Sequence, residues 1–164
     1  MKSHLIRKVL IAVERIASFC VDHTKLMPGI YVSRVDGDII TYDLRLRRPN
    51  IPPFISNPAL HTIEHLFATF ARNSDLRDKV IYFGPMGCRT GFYLLLRNAT
   101  YEEAIRLIVN TFEQLAVYEG EIPGAAAAEC GNYREHDLAD AKREAEGYLP
   151  IIRNWTPEKL KYES

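Results

Sequence analysis

Two histidines and a glutamate that could serve a metal-dependent enzyme lie together in the segment HTIEH, residues 61–65. On a helix, residues three and four positions apart share a face, so we expect His61, Glu64 and His65 to project together. Two imidazoles one helical turn apart can bind one divalent ion, and the carboxylate between them then lies beside whatever else the ion binds. The segment therefore predicts a metal site with an adjacent acid/base group.

Two cysteines beside glycines are candidates to complete this site. A catalytic metal of this kind takes three protein ligands and keeps one exchangeable position, and the histidines supply only two. Cys130 precedes Gly131 in a turn, where a small neighbour lets the backbone bend around an ion. Cys88 follows Gly87, and the adjacent Arg89 favours its thiolate form. Both cysteines are therefore candidates for a ligand or a reactive thiol.

Two other interpretations of the same helix stay open. The H-x-x-E-H order also occurs in one class of zinc peptidases, whose site is completed by a downstream carboxylate. Glu102, Glu103 and Glu113 are candidates for that role, but a peptidase leaves the two cysteines beside glycines unexplained and ranks second. The third hypothesis is a non-catalytic module with a structural metal, to which His136 would supply a fourth protein ligand.

The elements that must position these residues are helices and strands in alternation. The sequence DGD at 36–38, between the β-rich runs 30–35 and 39–46, is a hairpin signal and implies antiparallel pairing. Asn57 as N-cap, followed by Pro58, marks the start of the helix that carries the HTIEH segment. The other expected elements are an N-terminal helix over about residues 1–17, strands at 80–85 and 91–97, and helices over about 100–118 and 135–147. This pattern predicts an α+β fold with an antiparallel sheet packed against helices.

Composition and charge exclude several classes of protein. Twenty-one basic side chains balance 21 acidic ones, so no net field favours nucleic acid or an anionic membrane. The first apolar run, residues 9–13, is too short for a secretory signal or a membrane span. Three cysteines are an odd number, which argues against a disulfide framework. We therefore expect one cytoplasmic domain, residues 1–164, that binds neither nucleic acid nor membranes.

Taken together, the motifs resemble those of the LuxS family, the S-ribosylhomocysteine lyases. The resemblance rests on the segments HTIEHLFA at 61–68, PMGCRTGFY at 85–93 and ECGNYREHDL at 129–138. Shorter matching segments are SF at 18–19, VDHT at 21–24, YDLR at 42–45 and RPN at 48–50. The segments follow the family's order and extend over about residues 18–148, which is most of the chain.

The resemblance implies an activity, a cofactor and a set of site residues. The implied reaction is cleavage of S-ribosylhomocysteine into homocysteine and 4,5-dihydroxy-2,3-pentanedione, the precursor of the autoinducer-2 signal. The implied protein is a homodimer with one Fe(II) per chain, often replaced by zinc on handling. The residues that the resemblance assigns to the metal are His61, His65 and Cys130. Those that it assigns to acid/base chemistry are Glu64 and Cys88. Those that it assigns to substrate binding, from the neighbouring subunit, are Ser18, His23 and Arg45.

This chain departs from the family pattern near Cys88 and before the first strand. The family usually has a serine before Pro-Met-Gly-Cys and an aspartate two residues earlier, where this chain has Gly84 and Tyr82. The stretch from His23 to Pro28 is one residue short, and Gly29-Ile30 stands where the family usually has Tyr-Val. These departures leave the predicted metal and acid/base residues intact, and they change the pocket expected around Cys88.

Overall fold

A computed structural model describes residues 14–16 and 19–162 of the chain. Its main elements are, in order, β1 (Gly29–Asp36), β2 (Ile39–Arg45), α1 (Asn57–Arg72), β3 (Val80–Pro85), β4 (Gly91–Arg97), α2 (Tyr101–Ala116) and α3 (Leu138–Ile152). Two short 3-10 helices are Arg77–Lys79 and Pro157–Leu160. Most of the predicted N-terminal helix, together with Ser18, lies outside the described residues. Within the described part, no helix combines the length and the apolar character needed to cross a membrane.

The four strands form one antiparallel sheet in the order β1-β2-β4-β3. Gly37, in the turn between β1 and β2, has a φ of 62°, a left-handed conformation that glycine adopts without steric cost. The hairpin predicted from the DGD sequence is confirmed. The α+β class with an antiparallel sheet is confirmed as well.

The two faces of the sheet differ in what covers them. On the inner face, Phe67 of α1 stacks on Phe83 of β3 with ring centroids 3.9 Å apart, and the helices pack around this core. Because side chains alternate along a strand, the register places Tyr31, Asp43 and Tyr93 side by side on the outer face. The outer face thus carries polar side chains, which would need hydrogen-bond partners if they were buried in the core.

The first turn of α1 is capped by a different residue from the one predicted. The sequence favours Asn57 as N-cap, but the structure has Ser56 in that position, and its side chain accepts a hydrogen bond from the backbone N–H of Ala59 at 3.2 Å. The Ser56 hydroxyl also donates to Asp140 of α3 at 2.6 Å. A contact with a distant helix therefore decides which of two adjacent capping residues is used.

Helix α3 is displaced towards the C-terminus from its predicted range of 135–147. Asp137 is the N-cap, and its side chain accepts from the backbone N–H of Asp140 at 2.8 Å. The helix continues past Gly147 because Tyr148 and Ile152 are buried in the core, and this burial outweighs the low helix propensity of glycine. The residues before Asp137 form turns instead, and these turns lie next to α1.

Candidate metal centre

Helix α1 presents His61 and His65 with one ring nitrogen of each held by a backbone carbonyl. Nδ1 of His61 lies 3.0 Å from the carbonyl oxygen of Glu135, and Nδ1 of His65 lies 2.8 Å from that of Pro123. A carbonyl oxygen only accepts hydrogen bonds, so Nδ1 carries the proton in both rings and Nε2 keeps its lone pair. This second contact is typical of metal-binding histidines, because it fixes the tautomer and the orientation of the ring.

Cys130 brings a sulfur to the same two nitrogens. Its backbone N–H donates to the carbonyl of Ala126 at 3.0 Å, in the turn that follows the alanine run. The sulfur lies 3.3 Å from Nε2 of His61 and 3.9 Å from Nε2 of His65. Two ligands that are each 2.0–2.3 Å from one tetrahedral ion lie about 3.5 Å apart. The three side chains predicted as ligands are therefore brought together at a spacing that suits a single ion.

His136 is a fourth member of this group. Its ring stacks on that of His61, with centroids 4.0 Å apart and an interplanar angle of 22°. The ligand atoms of His61, His65, Cys130 and His136 all lie within 4.8 Å of one another. Burial, followed by the charges of His61 and His65, lowers the pKa of His136 and so favours its neutral ring. The sequence suggested this residue only as the fourth ligand of a structural site.

Thr62 connects His136 to α1. The Thr62 hydroxyl donates to the carbonyl of Pro58 at 2.8 Å and accepts from the backbone N–H of Asp137 at 2.9 Å. Its single proton is thus used, so Nδ1 of His136, 3.2 Å away, must be the donor in that contact. Nε2 of His136 is then an unprotonated, buried atom, and it has no hydrogen-bond partner among the described residues. Sequence reasoning missed Thr62, because a threonine on the inner side of a helix looks like an ordinary core residue.

The ligand atoms of His61, His65 and Cys130 lie at the wall of a cavity of about 500 Å³. Glu64 and Thr69 of α1, Phe83 of β3 and the turn around Cys130 line this cavity. Glu64 is half-buried in the wall, which places a carboxylate beside the group of ligands. Cys88 is absent from the lining that the described residues provide. An ion bound here would have an acid/base group beside it and room for a small ligand.

Cys88 belongs to a second group of polar side chains, at the end of the outer face of the sheet. Its sulfur lies 3.0 Å from the hydroxyl of Thr90 and 3.9 Å from Nη1 of Arg45. Arg45 donates to Thr90 at 2.6 Å and, through Nε and Nη2, to both carboxylate oxygens of Asp43 at 3.1 and 2.6 Å. Arg45 and Asp43 are only 2% and 1% exposed. Although burial disfavours its charge, the contact with Asp43 raises the pKa of Arg45.

The cation beside Cys88 is therefore Arg45 and not Arg89, its neighbour in sequence. Arg89 has a φ of 59°, and its guanidinium lies 5.9 Å from the ring centroid of Phe54. Arg45 pairs with Gly91 across β2 and β4, which brings its side chain next to the turn that carries Cys88. The pairing of strands, which is distant in sequence, decides which arginine contacts the sulfur.

The other two residues predicted to bind substrate precede β1. His23 is half-buried, and its Nδ1 lies 2.8 Å from the carbonyl oxygen of Val21. Ser18 lies outside the described residues. Apart from His23, the predicted site residues of the described part thus form two groups, one around Cys130 and one around Cys88.

Comparisons with known proteins agree with this geometry. Residues 16–159 match the family model described as S-ribosylhomocysteinase (LuxS). A protein of Borreliella afzelii named S-ribosylhomocysteine lyase is 50% identical over 155 residues, which cover 91% of this chain and 99% of that protein. Proteins with the same name from Finegoldia magna and Clostridium beijerinckii are 50% and 47% identical, over 90% and 91% of this chain and 97% and 98% of their own lengths. The chain therefore belongs to the LuxS family of S-ribosylhomocysteinases.

Proposed function

We propose that the chain is a metal-dependent carbon–sulfur lyase that cleaves S-ribosylhomocysteine to homocysteine and 4,5-dihydroxy-2,3-pentanedione. The observation that carries this proposal is the group of His61, His65 and Cys130 beside a cavity that Glu64 also lines. Family membership and the names of the relatives support the reaction. A zinc peptidase built on the same helix is not favoured, because its third ligand would be a downstream carboxylate and Cys130 occupies that place.

The donor set fits one Fe(II) or Zn(II) per chain, because two imidazoles and one thiolate suit either metal. Nε2 of His61, Nε2 of His65 and Sγ of Cys130 would hold the ion. When bound, the metal supplies a Lewis acid that polarises the oxygens of the substrate. The adjoining cavity favours a catalytic site with an exchangeable position over a closed structural site in which His136 is the fourth ligand.

The substrate defines what the protein side chains must do. Its sulfur is attached to C5, and it cannot leave while the carbonyl group is at C1. Moving the carbonyl from C1 to C2 and then to C3 makes the proton at C4 acidic, after which the thiolate leaves from C5. Each shift takes a proton from one carbon and returns a proton to its neighbour, so acid/base groups must reach the sugar backbone. Glu64 and Cys88 are the groups that we assign to these transfers.

Glu64 and Cys88 would each take a proton from a substrate carbon, on a carboxylate oxygen and on the sulfur respectively, and return it in the next transfer. The Cys88 sulfur lies 3.9 Å from the Arg45 guanidinium and 3.0 Å from the Thr90 hydroxyl, and both groups stabilise negative charge on it. Arg45 directs its donors at Asp43, Thr90 and Cys88. It therefore acts as a positioning residue for Cys88.

We further propose a homodimer in which each site takes residues from both chains. The resemblance assigns Arg45 to the site of the neighbouring subunit, and Arg45 contacts Cys88 of its own chain. A side chain in contact with Arg45 must serve the same site as Arg45. Cys88 would therefore also belong to the site of the neighbouring subunit. Each complete site would then combine the metal group and Glu64 of one chain with Cys88 and Arg45 of the other. A two-fold axis makes both sites equivalent.

The proposal also covers the cellular context of the chain. We propose a single domain over residues 1–164 that acts in the cytoplasm. Cys20, Cys88 and Cys130 are all free thiols, as suits a reducing compartment. The proposed products link the chain to autoinducer signalling and to the recycling of homocysteine.

Release of a thiol from S-ribosylhomocysteine by the metal-loaded protein tests the lyase directly. Glu64→Gln and Cys88→Ala should each retain the metal and lower turnover at least about 100-fold, the usual effect of removing an acid/base group. Cys20→Ala makes the same change at an exposed cysteine outside both groups and should keep full turnover. No thiol release by wild-type protein would refute the lyase, and full turnover by Cys88→Ala would refute the scheme with two acid/base groups.

A further inference from the structure

The C-terminal segment, residues 155–162, packs along strand β1. The indole N–H of Trp155 donates to the carbonyl of Ile30 at 2.8 Å. The Trp155 ring also meets that of Tyr31 edge-on, with centroids 5.8 Å apart. Tyr162 stacks on Tyr31 with centroids 5.0 Å apart and an interplanar angle of 20°. Between these two contacts, Leu160 is buried. Both ends of the segment therefore contact β1, which places Tyr162 on the outer face of the sheet beside Tyr31.

Gly29 leaves the space that Trp155 occupies. A Cβ atom at position 29 would overlap the indole ring of Trp155, at a separation that real Cβ contacts do not reach. Gly29 is also one of the positions at which the sequence departs from the usual family pattern. At this position, the absence of a side chain on Gly29 lets Trp155 of the C-terminal segment pack against the start of β1.

The hydroxyl of Tyr162 reaches the buried ion pair beside Cys88. It donates to Oδ2 of Asp43 at 2.9 Å, the same oxygen that accepts from Nη2 of Arg45 at 2.6 Å. Burial, followed by the charge of Asp43, raises the pKa of Tyr162, so its phenol stays protonated and remains a donor. Tyr162 is in this way joined through Asp43 and Arg45 to the group that contacts the Cys88 sulfur.

The charges of this group explain why the extra donor matters. When Cys88 is a thiolate, two anions, Asp43 and Cys88, share the guanidinium of Arg45. A donor on Asp43 disperses its negative charge, which leaves more of the positive potential of Arg45 for the sulfur. Tyr93 and Tyr148 also interact with Asp43, and burial raises the pKa of both, so neither adds a negative charge.

We propose that Tyr162 is a positioning residue for Cys88, acting through Asp43 and Arg45 to stabilise the thiolate. The family model matches residues 16–159, so Tyr162 lies outside the residues that this model matches. The role of Cys88 rests on the proposed function, whereas the connection of Tyr162 to its sulfur rests on distances alone. The inference extends the site to a segment of the chain that sequence motifs do not include.

Alkylation by iodoacetamide, measured at each cysteine by mass spectrometry between pH 5 and pH 9, tests this connection without substrate. Tyr162→Phe keeps the ring that stacks on Tyr31 and removes only the hydroxyl. At neutral pH we expect Cys88 to react about two- to thirtyfold more slowly in this variant, the range for a residue that acts through a chain of contacts. The midpoint of its pH curve should also move to higher pH. Tyr101→Phe, the same change at an exposed tyrosine outside the group, should match wild type.

Turnover of the same variants provides the second measurement. Since the proposed effect of Tyr162 passes through Asp43 and Arg45, kcat should fall by the factor seen in alkylation, while KM changes less than about twofold. Wild-type alkylation of Cys88 in Tyr162→Phe would overturn the inference, even in an active lyase. Equal slowing at Cys20 would also overturn it, because it would indicate a general structural change. If the proposed reaction were wrong, the alkylation shift at Cys88 would still be present, so the two failures can be told apart.

Discussion

Mixing two inactive variants would test whether Glu64 and Cys88 of one site come from different subunits. Cys88→Ala removes one acid/base group, and Glu64→Gln removes the other, so each protein alone should be nearly inactive. The two residues belong to separate groups in the structure, Glu64 with the ligands and Cys88 with Arg45. A site shared across a two-fold axis should therefore be restored in the mixed dimer.

The expected recovery follows from the number of sites in each dimer. After random exchange, about half of the dimers contain one chain of each variant. Each mixed dimer has one site with both residues intact and one site that lacks both. Since half of the dimers then have one of two sites working, activity should return to about a quarter of wild type per chain.

A matched mixture shows whether the grouping in the structure is correct. Cys130 and Glu64 line the same cavity, so Cys130→Ala and Glu64→Gln remove parts of the same half of the site. Their mixed dimers contain no intact site and should stay inactive. Thiol release would be followed after exchange of differently tagged chains, with native mass spectrometry to measure the mixed dimers. Mixed dimers of the Cys88 and Glu64 variants that form and stay inactive would refute the shared site.

Three further predictions concern the metal, its support and the C-terminal segment. Anaerobically purified protein should carry about one divalent ion per chain. Cys130→Ala should lose most of this metal, and Cys20→Ala should keep it. Full metal retention by Cys130→Ala would exclude Cys130 as a ligand. Thr62→Val leaves the donors of His136 and Asp137 without their acceptor. It should lower the free energy of unfolding in urea by about 2–4 kcal/mol and weaken metal binding about tenfold or more. Unchanged values would contradict the proposed support of His136 by Thr62. Gly29→Ala should lower the free energy of unfolding by about 1–3 kcal/mol, because the added methyl group overpacks against Trp155. Trp155 is the only tryptophan in the sequence, so the change should be visible in its fluorescence.

Local sequence patterns predicted the elements well where one residue and its near neighbours decide the structure. The helix expected from about residue 100 begins with a capping box of Thr100 and Glu103, and the predicted Asp-Gly turn joins β1 to β2. At the starts of α1 and α3, the structure differs from the prediction where a distant contact contributes. Ser56 replaces Asn57 as the N-cap of α1 where Asp140 of α3 also binds it. Periodicity and turn chemistry are local, whereas these contacts form only when the helices pack.

Grouping of the site residues was predictable only in part. His61, Glu64 and His65 share a helix, so their spacing alone places them on one face. Cys130 reaches the same nitrogens through a turn that is distant in sequence, and only the resemblance separated its role from that of Cys88. Single-residue arguments could not find the contacts of Thr62 or Tyr162, because both depend on which segments meet in the folded chain.

The amino-acid sequence by itself determined the kinds of ligand, their spacing on α1, the antiparallel hairpin and the family. Each of these depends on residue type and on short separations along the chain, which the backbone geometry of a helix or turn converts directly into positions. Only the tertiary structure decided that Arg45 and not Arg89 contacts Cys88, and that Tyr162 joins the same group. These contacts depend on strand register and on the docking of the C-terminal segment, because buried charged and polar groups cost free energy unless the folded chain gives them partners.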